Sequence, residues 1–309
     1  MRPIRPERGV TLIELVIAMV LVGIIVAAIA FFLSPIRQST DLALRAELTD
    51  IADNTLQRIG REVKLALPNS VRLTSDSGVA PFHILELLAL REAGRYRAEA
   101  GSIAGGVACD ADDPSLGVAD NDQLSFDLVP GERCFKTIGL LANAGSVTTT
   151  DYLVLNNYGP GFPGQDAYEA GAANRARIDT AVGVEANRNR IRFEQTPFAR
   201  ALHDSPAKRF HIISGPVSFR CDTVTSTITR YWNYGPVVPT EPVAAQPKTF
   251  TTPNAALLAE HVVGCEFEYA NVGPQLGLLT MRITLRRALF GGANETVSLF
   301  HAVHVSNTP

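Results

Sequence analysis

The 309-residue chain has the composition of a folded protein, with 46% hydrophobic and 19% charged residues. These proportions argue against disordered, collagen-like and coiled-coil chains. Its 28 basic and 31 acidic residues leave a net charge of −3, so the chain has no basic surplus for binding nucleic-acid phosphates. We therefore expect a folded core and no nucleic-acid partner.

A long apolar stretch lies close to the N-terminus. Every residue from Leu15 to Leu33 is apolar or glycine, and the stretch reaches back to Val10 if Thr11 and Glu14 are included. A helix over this length would measure about 36 Å, enough to cross a hydrocarbon layer of roughly 30 Å. The stretch predicts one helix that spans the lipid bilayer.

The charges that flank the apolar stretch differ on its two sides. Arg2, Arg5 and Arg8 precede it with only Glu7 opposing them, and the next charge after it is Arg37. The positive-inside rule places the N-terminus in the cytoplasm and the rest of the chain outside.

All four cysteines, Cys109, Cys134, Cys221 and Cys265, lie beyond the predicted span. An even number of cysteines in an exported region predicts two disulfides, and no CxxC motif or Cys/His cluster indicates zinc instead. Three pairings are open. We take the sequential one, Cys109 with Cys134 and Cys221 with Cys265, and expect each to contribute about 3–4 kcal/mol.

A cleaved secretory signal is the alternative explanation of this N-terminus. Its apolar region would span about 7–15 residues, whereas this stretch is longer and contains Glu14. An ionised carboxylate at mid-bilayer costs about 2.5–3.5 kcal/mol. The stretch itself offers no cation at that depth, so we expect a partner such as the free amino terminus of a neighbouring copy.

The segment from Arg8 to Leu15 is a basic leader ending in glycine, followed by Thr-Leu-Ile-Glu and an apolar run. It resembles the type IV prepilin signature. The resemblance implies that prepilin peptidase cleaves after Gly9 and that Val10 is then N-methylated. It also implies that Glu14, the fifth mature residue, pairs with the amino terminus of an adjacent subunit during assembly. Most members of the family begin the mature chain with Phe, so Val10 is a departure.

The resemblance further implies an α+β fold of the type IV pilin kind, in which a long N-terminal helix precedes an antiparallel β-sheet domain. It implies cleavage and assembly partners, namely prepilin peptidase, major and minor pilins and an inner-membrane assembly platform. The protein would then be a single-pass inner-membrane precursor with a cytoplasmic N-terminus. The domain boundaries that follow are a leader at 1–9, a transmembrane half-helix at 10–33, an amphipathic half-helix at 34–67 and a periplasmic β-rich domain at 68–309.

The second half of the helix shows helical periodicity. Pro35 is expected to bend it near the membrane exit. Apolar residues then recur at steps of three and four with one gap, and charged residues lie mostly between them. The helix is expected to end before Pro68. The apolar positions are Leu44, Leu48, Ile51, Ile59, Val63 and Leu67.

Alternating apolar and polar residues predict strands in the rest of the chain. Leu278–Arg286 alternates strictly, and a glycine-rich turn at 291–294 leads into Val297–Val305, which predicts a hairpin. Val217–Cys221 and Cys265–Tyr269 also alternate, with each cysteine on the apolar side.

Further strands are predicted at Leu124–Val129 and Tyr152–Asn156. Ile84–Ala100 has both helical and strand features, and we interpret it as a strand. Long loops rich in small residues are predicted at Gly101–Gly117, Gly159–Asn174 and Pro236–Pro253.

Several segments of the β-rich region resemble the MshO-type minor pilins of the mannose-sensitive haemagglutinin (MSHA) pilus, relatives of the J-type pseudopilins of type II secretion. Both groups are low-copy subunits that resemble tip or priming components. The segments that carry this resemblance are Ala66–Arg72, Gly215–Cys221, Arg230–Trp232, Val263–Phe267 and Val297–Asn307.

Two motifs suggest a ligand or metal, and both are weak. Gly159–Gly164 matches the GxGxxG pattern of dinucleotide sites, but Pro160 and Pro163 supply no backbone N–H for a phosphate. Five aspartates between Asp110 and Asp122 could attract calcium, but their spacing is not that of an EF-hand, and we favour a solvated acidic loop.

No catalytic constellation is recognisable. His301 and His304 would face opposite sides of a strand, which argues against a shared metal, and His301 would be a core histidine. The chain lacks GxSxG, HExxH and P-loop motifs. We expect a non-enzymatic assembly subunit with no catalytic residue, cofactor or metal. The alternative is a signal-anchored periplasmic adhesin or carbohydrate-binding module that does not polymerise.

Overall fold

The computed structural model describes most of the helix and of the β-rich region. The described residues are 11–76, 82–98, 124, 126, 134–169, 171–180, 190–194, 198, 200–234, 254–273, 275–289 and 292–309.

One long helix, α1, runs from Leu12 to Lys64 and continues through Pro35 without a break in its assignment. It ends three residues earlier than the apolar periodicity predicted. Leu67 N–H donates a hydrogen bond to the Leu88 carbonyl at 2.9 Å, and Ala66 forms an antiparallel bridge with Ala89. The last apolar residues of the pattern therefore leave the helix to pair with a strand.

The second half of α1 has one buried face. The residues of this face recur at steps of three and four, as the periodicity predicted. A polar residue, Thr55, lies within it and donates its hydroxyl to the Leu258 carbonyl at 3.2 Å. The residues with no more than 3% of their surface exposed are Leu48, Ala52, Thr55, Leu56, Ile59 and Val63.

Twelve strands follow among the described residues, with a short helix α2 at Arg200–His203 and a single 3-10 turn at Ala144–Ser146. The strands are β1 Arg72–Asp76, β2 Phe82–Arg95, β3 Cys134–Lys136, β4 Tyr152–Leu155, β5 Arg175–Thr180, β6 Arg190–Phe193, β7 Arg209–Asp222, β8 Thr227–Trp232, β9 Asn254–Glu260, β10 Val262–Gly273, β11 Leu276–Ala288 and β12 Asn294–Ser306.

These strands form a nine-stranded and a three-stranded sheet. The larger sheet has the order β1-β2-β7-β4-β5-β6-β3, with β8 also paired to β7 and β9 paired to β8. Strand β7 is its centre, because β2 pairs along one edge while β4 and β8 share the other. The smaller sheet has the order β10-β11-β12. The predicted α+β class, a long helix followed by antiparallel strands, is confirmed.

The hairpin predicted near the C-terminus is present as β11 and β12. On β11, Leu279, Met281, Ile283 and Leu285 are fully buried, so the alternation identified the buried face correctly. The segment from Ile84 is a strand, as interpreted, and it ends at Arg95.

Two apolar clusters of described residues lie in the core of the larger sheet. The first is aromatic: Phe135 makes edge-on contacts with Tyr96 and Phe210, at 6.2 and 5.3 Å between ring centroids. The second includes Leu67 and Leu88, so the residues that follow α1 contribute to it.

The chain divides into two compact units, Met1–Asp50 with Arg286–Val297, and Ile51–Leu285 with Ser298–Pro309. Within the first unit, Glu47 pairs with Arg287 at 2.9 Å and Arg45 with Glu295 at 3.4 Å. The second unit contains the whole larger sheet. The predicted domain boundaries stay predictions.

Candidate functional site

The predicted assembly residues lie at the start of α1. Gly9 and Val10 fall outside the described residues, whereas Thr11 and Glu14 are described. Glu14 is in the first turn of the helix, where a carboxylate interacts favourably with the unpaired backbone N–H groups.

Thr11 caps this helix. Its hydroxyl oxygen accepts a hydrogen bond from the Glu14 backbone N–H at 3.3 Å, and its carbonyl accepts one from Leu15 N–H at 3.2 Å. A threonine followed three residues later by a glutamate is the capping-box pattern. Our reading of the sequence missed this role of Thr11, although the spacing in Thr-Leu-Ile-Glu was the signal that could have shown it.

The helix that follows Glu14 exposes an apolar surface. Leu12–Ile29 has a mean hydropathy of 3.0, and none of it is buried within the protein. It is the one described helix long and apolar enough to cross a membrane. Such a surface needs a nonpolar environment, either lipid or other apolar helices.

Glu14 has no cation at its own level on this helix. No Lys, Arg or His occurs from Thr11 to Ile36, and Arg37 is 23 residues away along the chain. At the helical rise of about 1.5 Å per residue, that separation is roughly 34 Å. A cation that neutralises Glu14 in a nonpolar environment must therefore come from elsewhere than this part of the helix.

A family model of the prokaryotic N-terminal methylation motif matches residues 4–30. The N-terminus is that of a type IV prepilin-like protein. The motif implies processing by prepilin peptidase and assembly with other pilins, and together with the apolar helix it indicates membrane anchoring. Neither the curated proteins nor the solved structures contain a match to this chain.

The cysteines support the predicted pairing in part. Cys221 on β7 and Cys265 on β10 form a disulfide, with their Cα atoms 6.5 Å apart. Both side chains are buried, so this bond joins the two sheets through their apolar sides. Cys134 is also disulfide-bonded, while Cys109 lies outside the described residues, and their pairing stays a prediction.

An ion pair with a buried carboxylate joins β1 and β2 of the larger sheet. Arg72 on β1 binds the carboxylate of Glu86 on β2, which is fully buried, and Tyr234 donates its hydroxyl to the same carboxylate at 2.8 Å. Burial raises the pKa of Glu86, and Arg72 opposes that shift. The Arg72 guanidinium also lies 3.4 Å from the ring centroid of Tyr168. Each group has a protein partner, which is typical of a structural cluster.

The GxGxxG segment, Gly159–Gly164, forms a closed loop. Its Gly164 N–H donates to the carboxylate of Glu169 at 2.9 Å, so an acidic side chain already occupies the position that a phosphate would need. Gly159 has a φ of +79°, and a Cβ there would lie 2.6 Å from the Asn69 carbonyl. The glycine therefore allows a tight turn against the backbone of Asn69, which follows α1.

The other predicted features have mixed outcomes. No group of three potential metal ligands occurs among the described residues. The acidic loop at Asp110–Asp122 lies outside that part of the chain, as do the loops at 101–117 and 236–253. His301 is half-buried beside Gly60 on α1, and His304 is exposed, so the two histidines face opposite sides as predicted.

Proposed function

We propose that this protein is a minor pilin or pseudopilin, a non-enzymatic subunit of an MSHA-like type IV pilus or of a related type II secretion pseudopilus. The observation that carries the proposal is the methylation motif at residues 4–30, continuous with an apolar helix that is unburied in the monomer. The resemblance of the β-rich segments to MshO-type minor pilins supports the choice of system.

The proposed mechanism combines the resemblance to prepilins with the charges and the apolar helix. The apolar half of α1 holds the precursor in the inner membrane, with the β-rich domain in the periplasm. Prepilin peptidase removes residues 1–9 and frees the amino group of Val10, which is then methylated. Glu14 pairs with the amino terminus of a neighbour as the helix leaves lipid for a bundle of similar helices. Burial against those helices replaces burial in lipid.

The test is peptide mass spectrometry of the N-terminus, in cells with and without prepilin peptidase. We expect a mature chain that begins at Val10 only when the peptidase is present. Gly9→Val in the same cells should leave the chain uncleaved, whereas Gly23→Val, within the apolar helix, should be processed normally. An intact Met1, or the same cleavage in both strains, would favour a signal-anchored periplasmic adhesin instead.

A further inference from the structure

Two arginines lie opposite each other where β2 ends and β7 begins. Arg95 and Arg209 are directly opposite in the antiparallel register. Like charges at directly opposite positions destabilise a strand pair. Within the described part of the chain, neither guanidinium has a carboxylate partner at ion-pair distance. Among the described residues, the two positive charges therefore have no neutralising carboxylate.

A buried histidine lies beside the arginines on the same face of β7. His211 is two residues from Arg209 and pairs in register with Ala93. Only 7% of its surface is exposed, and its Nδ1 has no hydrogen-bond partner among the described residues. Burial and the charge of Arg209 lower the pKa of His211 to about 4, so the ring is neutral at pH 7. An unpaired polar atom at this depth is unusual in a folded protein.

These three side chains line one concave pocket of about 250 Å³. We call it the β2–β7 notch. On this face the small side chain of Ala93 lies opposite His211. Gly94 faces the other side of the sheet, where a Cβ would lie 2.7 Å from the ring of Phe210 in the aromatic cluster. The lining residues are Ala93, Gly94, Arg95, Arg209, Phe210 and His211.

We propose that the β2–β7 notch binds an oxyanion, a phosphate or carboxylate group, between Arg95 and Arg209. Guanidinium groups present paired N–H donors that match the oxygens of both anions. A bound oxyanion would convert the repulsion between the two arginines into a bridge. A neutral imidazole can donate one N–H to such a ligand. This proposal does not rest on the proposed function, because it uses only residues of β2 and β7.

The experiment uses the full-length chain in a nonionic detergent, titrated with inorganic phosphate and with citrate by calorimetry. A third titration uses micelles doped with phosphatidylglycerol, which separates a lipid headgroup from a free anion as the source. Histidine-labelled protein reports the ring-nitrogen NMR signals of His211 in each titration. We expect saturable binding of at least one probe, with a shift of the His211 signals.

The variants Arg95→Gln and Arg209→Gln test the site. Each should weaken binding roughly tenfold to a hundredfold, as expected for loss of a charge-assisted hydrogen bond. Each should fold with unchanged or higher stability in the absence of ligand, because the repulsion is removed. Arg282→Gln, an exposed arginine paired with Glu266 on the smaller sheet, is the matched control and should bind normally.

Each outcome of these titrations either supports or overturns the proposal. Binding of any one probe that is lost in both notch variants and kept in the control supports the proposal, and the probe that binds identifies the source. Absence of binding by all three probes overturns it. Equal binding by the notch variants and the native chain also overturns it, since the anion would then bind elsewhere.

Discussion

Glu14 combines two features that conflict in a membrane. It stabilises the first turn of α1, next to the Thr11 cap, yet it places a carboxylate at the start of a helix with a mean hydropathy of 3.0. An amino terminus from a neighbouring subunit that binds the carboxylate would neutralise it and remove the cost of placing it in a nonpolar environment.

Replacing Glu14 tests that pairing. We expect Glu14→Ala to leave cleavage after Gly9 intact but to reduce incorporation at least tenfold. The amino terminus of the neighbouring subunit would then be a buried charge without a partner, which costs about 3–5 kcal/mol. The measurement is the ratio of mature subunit in sheared fibres to that in the membrane. Glu47→Ala, on the same helix and half-exposed, is the control and should be incorporated normally. Normal incorporation of the Glu14 variant would contradict the proposed pairing.

His211 predicts a pH dependence at the same scale. Its folded-state pKa of about 4 is below the ordinary value of 6.5, so the unfolded chain binds more protons between these pH values. Stability should therefore fall as the pH drops from 6.5 to 4, by about 3 kcal/mol from this group. Urea unfolding at several pH values measures it.

His211→Gln should flatten that part of the pH profile, whereas His304→Gln, at an exposed position, should not. The difference between the pH–stability profiles of the variant and the native chain isolates the effect of His211 from that of Glu86. The raised pKa of Glu86 acts in the opposite direction, because the stability that Glu86 contributes falls as the pH rises above about 4.5. A parallel loss of stability in native and variant chains would rule out His211 as the source.

At the scale of elements, Arg230 connects the helix to the larger sheet. Its Nε lies 3.0 and 2.9 Å from the two carboxylate oxygens of Glu62 on α1, and its guanidinium lies 4.6 Å from the centre of the Trp232 ring. The side chains of Arg230 and Glu62 are only 17% and 25% exposed, so the ion pair is shielded from solvent. The pair therefore links the C-terminal end of α1 to β8.

A double-mutant cycle with Arg230→Met and Glu62→Gln measures this connection. We expect a coupling energy of about 1–2 kcal/mol, since the pair is shielded from solvent and the Nε–H of Arg230 donates to both carboxylate oxygens of Glu62. The exposed pair Arg282 and Glu266, at 3.4 Å, should give below about 0.5 kcal/mol in the matching cycle. Equal coupling energies in the two cycles would show that shielding from solvent does not strengthen the pair between Arg230 and Glu62.

At the scale of the whole molecule, the Cys221–Cys265 bond joins two sheets that share no strand. It closes a segment with a sequence separation of 44. In the chain-entropy treatment, a loop of this size contributes about 4 kcal/mol. The bond therefore accounts for a large share of the stability expected for a domain of this size.

Cys221→Ser with Cys265→Ser should lower the free energy of unfolding by roughly 2–4 kcal/mol. Guanidinium unfolding of the variant and of the native chain under oxidising conditions measures the difference. Under full reduction the two chains should unfold alike, apart from any effect of the remaining cysteines. Unchanged stability under oxidising conditions would show that apolar packing alone holds the sheets together.

The sequence by itself determined the features that depend on neighbours along the chain. The leader, Glu14 and the apolar stretch make the prepilin-like N-terminus recognisable. Recognition by a peptidase and insertion into a membrane both depend on residues that are neighbours along the chain. Periodicity of two and of three to four residues identified the buried faces of β11 and of α1, since each residue's direction follows from its position in the element.

Only the tertiary structure decided the features that need distant residues to meet. It selected Cys221 with Cys265 from three possible pairings and ended α1 at Lys64, because Leu67 binds Leu88 on β2. It also placed Arg95 opposite Arg209, although 113 residues separate them in the sequence numbering. Strand register sets such contacts, and register depends on the packing of the whole sheet rather than on any local pattern.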